Sequence, residues 1–161
     1  MLRLSKKADY ALIAMNHLAR KQSGPSASTS ARDIAERYDI PIELMAKVLQ
    51  RLVRTGLLLS TQGTRGGYAL SRPPIAISVA DVIQAIDGPF TVTACSTEKS
   101  DCEQYGKCSI RDPLWQIRER IVEALGTVTI AEMASDTVKA DPALRTDSAG
   151  SAPTPVAVVR R

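Results

Sequence analysis

The sequence predicts a mainly α-helical fold with one small β-hairpin. Three observations point there. Apolar residues recur at three- and four-residue spacing in three stretches, capping signals stand before several helices, and one glycine-rich run lies between two short extended segments. At 161 residues, with 44% hydrophobic and 24% charged residues, the chain has the size and composition of one globular unit plus an appendage. With one Trp, one Phe and four Tyr, its core must be aliphatic.

Ser5 caps a first helix running to about Lys21, with Ala8, Ala11, Leu12, Met15, Leu18 and Ala19 on one face. Gly24, Pro25 and the Ser/Thr-rich stretch after them form a loop. Ser30 and Asp33 stand three apart, a capping box with Asp in place of Glu, and open a short helix over 31–38. Asp39-Ile40-Pro41 ends it, and Pro41 suits the first turn of the next helix, where its missing N–H costs little. That helix, over 42–55, carries Leu44, Met45, Val48, Leu49 and Leu52 on one face. Glu43, Lys47, Gln50 and Arg54 form a polar stripe on the other. Gly56 stands where a helix C-terminal glycine belongs. Residues 57–61 and 67–70 read as strands flanking the tip Gln62-Gly63-Thr64-Arg65-Gly66, whose glycines permit a tight turn.

Ser78 and Asp81 repeat the capping pattern and open a helix through Ile86, which Asp87-Gly88-Pro89 ends. Residues 90–110 hold every Cys and little apolar periodicity, and read as a loop. Asp112-Pro113 starts a helix whose Leu114, Ile117, Ile121 and Leu125 form a stripe widened by Trp115 and Val122. Thr129 and Glu132 make another capping box, opening a last helix to about Val138. From Lys139 onward no period remains, and the tail reads as disordered.

Charge divides the chain. Residues 1–72 hold 12 Lys/Arg against 5 Asp/Glu, whereas residues 73–138 hold 5 against 10. A basic first half calls for an anionic partner, and nucleic acid is the usual one, because Lys and Arg neutralise phosphates and release counterions. Two short helices, the second with a polar stripe, then a basic hairpin, is the order of a winged helix-turn-helix. The second helix of such a pair enters the major groove, where base edges carry a readable pattern. Its reading face would be Glu43, Lys47, Gln50, Arg51 and Arg54. Lys47 and Gln50 suit base edges, and Arg51 and Arg54 suit phosphates. Arg65 at the hairpin tip suits a narrow minor groove. A solvated helix face is the plainer reading of the stripe alone.

No apolar stretch reaches the length of a membrane span, and no signal-peptide core follows the N-terminus, so a cytoplasmic protein is the expectation. Cys95, Cys102 and Cys108 are an odd number within fourteen residues, which disfavours a closed disulfide framework. Three thiolates on one segment can converge on a soft metal centre, whether zinc or an iron–sulfur cluster, and either needs a fourth ligand. A catalytic Cys would need a base, and the single histidine, His17, lies on the first helix, where it reads as packed or capping. A zinc- or thiol-dependent enzyme and an architectural DNA-binding dimer with idle cysteines remain alternatives.

The run Met1 to Leu12, the hairpin Gly63-Thr64-Arg65-Gly66-Gly67-Tyr68-Ala69-Leu70, the three Cys and Pro113-Leu114-Trp115 together resemble the IscR/NsrR family of winged-helix iron–sulfur transcription regulators. The match spans about residues 1–138, and the nearest subtype is the regulator of SUF-system cluster assembly. The resemblance implies a homodimer joined by a long helix, here about 112–125, and reading a pseudo-palindromic operator on double-stranded DNA. It implies a regulator, in most cases a repressor, rather than an enzyme, with an iron–sulfur cluster ([2Fe–2S] or [4Fe–4S]) on Cys95, Cys102 and Cys108. Some members place a His ligand three residues after the last Cys. Arg111 stands there and cannot ligate iron, because it stays protonated. Others use an Asp near the start of the first helix, donated by the partner subunit, and Asp9 matches that place. An Asp in a helix first turn also needs no more than the macrodipole to explain it. The implied organisation is a DNA-binding domain at 1–88, a cluster-binding loop at 89–110, the dimerisation helix and a short terminal helix at 111–138, and a tail at 139–161.

Overall fold

The structure, a computed structural model, describes residues 4–21, 28–63, 66–92 and 103–135. Among these, six α-helices and one two-stranded sheet follow one another as α1 (Lys6–Lys21), α2 (Ala31–Arg37), α3 (Ile42–Arg54), β1 (Leu58–Thr61), β2 (Gly67–Leu70), α4 (Val79–Asp87), α5 (Arg111–Thr127) and α6 (Ile130–Ala134). The mainly helical fold with one hairpin wing is therefore as the sequence predicts. Residues 136–161, including the expected end of the last helix and the tail, lie outside the described residues.

Local chemistry starts and stops these helices. Ser30, Ser78 and Thr129 each accept from the backbone N–H three residues on, and Asp33, Asp81 and Glu132 accept from the cap N–H in return. Ser5 Oγ accepts from Ala8 N–H at 3.1 Å and starts α1 in the same way. The turn between α2 and α3 places Asp39 at φ +52, and Ile40 N–H reaches back to Ala35 O at 2.9 Å. This reversal buries Ile40 and aims α3 across α2. Pro41 stands just outside the first turn of α3, as its N-cap.

The core lies where α1, α3, α4 and the base of the hairpin meet. Met15, Leu18, Ile34, Met45, Leu49, Leu52, Leu58, Ile77 and Val82 are its fully buried side chains, joined by Ile130 of α6. β1 and β2 pair antiparallel with Leu58 opposite Leu70 and Thr61 opposite Gly67. A further bridge ties the hairpin to the segment before α2: Thr29 and Tyr68 exchange backbone hydrogen bonds at 3.0 and 2.9 Å. A Cβ at Gly67 would come within 2.8 Å of the Thr29 backbone, so only glycine allows this approach.

After α5 the chain returns to the head. Val79 N–H donates to Val128 O, and Ile130 N–H to Ile77 O, both at 2.9 Å. α6 then packs on α1, so the last short helix completes the head's core. No helix among the described residues is long and apolar enough to cross a membrane.

Candidate nucleic-acid interface and cysteine segment

α3 turns its apolar face into the core and leaves Glu43, Lys47, Gln50 and Arg54 exposed along one ridge. A shallow hollow lies on each flank. The first, about 480 Å³, opens between α1, α3 and α4. Its floor includes Leu44, Val48 and Ile86, and Lys7, Lys47, Arg51 and Arg54 stand around it. The second, about 460 Å³, opens between α3, the N-terminus of α2 and the hairpin. Ser30, Ser60, Thr61, Gln62 and Tyr68 give it a neutral polar lining, and Gln50 and Arg54 border both hollows.

Among the described residues, Arg51 is the one member of the expected reading face with an internal task. Its Nε donates to Ala85 O at 2.9 Å, satisfying a carbonyl in the last turn of α4. The same end of α4 is tied to α1, where Ser5 N–H and Oγ both donate to the Asp87 carboxylate. Gly88, at φ +84, ends the helix. Arg65 lies outside the described residues.

A helix with a polar ridge beside a basic hollow and a hairpin is the surface on which the family relationship bears. The model of a family described as Rrf2, iron-dependent transcriptional regulator, matches residues 4–136. The chain belongs to the Rrf2 family. Its relatives include the HTH-type transcriptional regulator IscR of Xenorhabdus nematophila, 35% identical over 91% of this chain and 88% of that one. The IscR of Yersinia pseudotuberculosis is 34% identical over 84% of this chain and 80% of that one. Among solved structures, CymR, the global cysteine regulator of B. subtilis, superposes with a TM-score of 0.67 at 31% identity, covering 84% of this chain and 98% of that one. T. potens IscR superposes with a TM-score of 0.64 at 29% identity, covering 87% and 91%. The Rrf2 chain is thus a DNA-binding transcriptional regulator of winged-helix fold, and its relatives are regulators rather than enzymes.

In Rrf2 terms the remaining question is the cysteine segment. Cys95 and Cys102 lie outside the described residues. Cys108 is a free, half-buried thiol that closes a 3₁₀ turn over Tyr105–Lys107, three residues ahead of α5's first residue. Arg111 braces this turn. Its guanidinium lies 4.7 Å from the Tyr105 ring centre, donates to Tyr105 O at 3.2 Å and forks onto Asp112. These bonds hold the Asp112 carboxyl below the usual carboxylate range. Arg111 is therefore spent on shaping the turn. Further along α5, Arg118 Nε donates to Phe90 O at 2.7 Å, so the helix is tied to both ends of the cysteine segment. Asp9 is exposed in the first turn of α1, its carboxylate in no ion pair among the described residues.

Among the described residues no three metal-ligating side chains converge. The donor set still fits an iron–sulfur group by its chemistry. The thiols are three, Cys108 is unpaired among the described residues, and no imidazole competes, because His17, the single histidine, is packed against Tyr38. Sequence reasoning missed Lys7. Its only signal is a basic residue two positions after the Ser5 cap, and nothing local says that the fold will set it beside α3.

Proposed function

We propose that the chain is a transcriptional repressor whose grip on operator DNA is set by an iron–sulfur cluster. Cys95, Cys102 and Cys108 would hold it, with Asp9 of a second copy as the fourth ligand. When bound, the group supplies iron- and oxidant-sensitive chemistry at the entrance to α5. The observation that carries this reading is the place of Cys108, a free thiol in a turn braced onto α5 by Arg111. Whatever fixes Cys108 bears on the start of that helix.

The rest of the work falls to the chain's own residues. α5 has no buried residue in its seventeen, and Trp115 and Ile117 are 39% and 45% exposed. An apolar stripe this open calls for cover, and a second copy supplies it. Arg118 and Arg51 link α5 and α3 to the stretch 85–90 through Phe90 O and Ala85 O. Glu43, Lys47, Gln50 and Arg54 read the major groove, and Arg65 the minor groove. A switch of this kind requires different DNA affinities with and without the cluster, and the same factor must then appear in cluster affinity with and without DNA.

The test is anaerobic purification followed by iron and sulfide analysis, then gel shifts on the fragment upstream of the protein's own gene at fixed salt. The expected result is a brown protein that loses iron and sulfide on Cys108→Ala, with loaded and unloaded forms differing at least about fivefold in affinity. Equal affinities would reject the switch and leave DNA binding standing. A colourless protein that never takes up iron would reject the cluster.

A further inference from the structure

We propose that the hollow between α1, α3 and α4 seats a backbone phosphate of one DNA strand, with Lys7 as a contact, while the hollow on the hairpin side holds the opposite strand through neutral hydrogen bonds. The inference rests on the DNA-binding reading and adds where, and by what chemistry, each strand is gripped.

The first hollow concentrates charge with no internal use for most of it. Lys7, Lys47, Arg51 and Arg54 surround it, and none pairs with a carboxylate among the described residues. Lys47 and Arg51 stand four apart on one helix, a like-charge spacing that works against the helix unless an anion lies between them. Asp87, next to Ile86 of the floor, is occupied by Ser5 N–H and Oγ. Arg51 is held through Nε by Ala85 O, which fixes its guanidinium in place and leaves its Nη groups for an anion. The apolar floor of Leu44, Val48 and Ile86 keeps water from one side, which strengthens the attraction.

The second hollow is chemically different. Its described lining is hydroxyl, amide and backbone, with Arg54 alone charged. A helix seated in a major groove has one strand on each flank, and these two hollows are the flanks of α3. Counterion release belongs to cationic contacts, and the first hollow gathers four of them, so Lys7 should carry a share of the salt dependence that the neutral Gln62 does not.

Binding of a mixed-sequence duplex by the full chain, followed by fluorescence anisotropy from about 50 to 200 mM salt, separates the two flanks. Lys7→Gln should flatten the slope of log K against log salt by about 0.9 for each head on the duplex. Its deficit relative to wild type then shrinks about three- to fourfold per head across that range. Lys7→Arg should keep the wild-type slope. Gln62→Ala should weaken binding with no change of slope. An unchanged slope for Lys7→Gln, or an equal flattening by Gln62→Ala, would overturn the proposal. A wild-type chain that binds no duplex would instead defeat the DNA-binding reading itself.

Discussion

His17 shows how much a single buried group can impose. It is 7% exposed, its Nδ1 lies 3.3 Å from Tyr38 Oη, and its Nε2 is buried without a partner among the described residues. Burial pushes its pKa below the ordinary value of 6.5, and Lys21 and Arg37 push the same way, against Asp33. The unfolded chain therefore binds this proton more readily than the folded one. Stability is full above about pH 6.5 and is lost as pH falls through the lower, folded value. Urea midpoints measured from pH 7.5 to 5 should fall for the wild type, and His17→Gln should flatten that fall. A parallel decline in both proteins would count against it. The packed role of His17 was readable in advance from its place on the first helix. The partner Tyr38 was not, because it arrives from 21 residues away.

At the scale of elements, the capping boxes were legible because a box is complete within four residues. Ser30 with Asp33, Ser78 with Asp81, and Thr129 with Glu132 all form as spaced. Ser78→Ala should cost about 1 kcal/mol, since Asp81 N–H loses its acceptor, and lower the melting temperature by roughly 4 °C. Ser78→Thr keeps the acceptor and should recover most of the loss. An unaltered melting curve for the alanine variant would show that the box carries no stability. What periodicity hides is the neighbour. It marks Val48 and Leu52 as inward-facing, but not that Arg51 beside them reaches Ala85, 34 residues on. Arg51 thus reads from the sequence as one more cation on a polar stripe, when it also joins α3 to α4. The same blindness conceals Ser5 with Asp87, 82 residues apart.

For the whole molecule, α5 is the element that a single chain leaves unfinished. Its stripe was visible as a pattern at Leu114, Ile117, Ile121 and Leu125, and the structure leaves Ile117 exposed and the other three no more than half-buried. Ile117→Glu should therefore leave the head folded, because Ile117 is 45% exposed, yet halve the sedimenting mass and weaken operator binding. A variant that sediments like the wild type would place the subunit contact elsewhere. The candidate site was less legible than the fold. The polar ridge of α3 follows from spacing alone, whereas the two hollows beside it exist only once α1, α4 and the hairpin have closed around it.

The return of the chain through Val128 and Ile130 bears on geometry at long range. α5 is tied to Phe90 near its middle through Arg118, and just past its end the chain rejoins the head at Ile77 and Val79, so the helix is fastened at two points. A strut fastened twice does not swing like an arm on a tether. In a two-headed assembly built on it, the distance and rotational phase between the heads become a fixed yardstick, and the duplex must match that yardstick because the protein cannot stretch to meet the duplex.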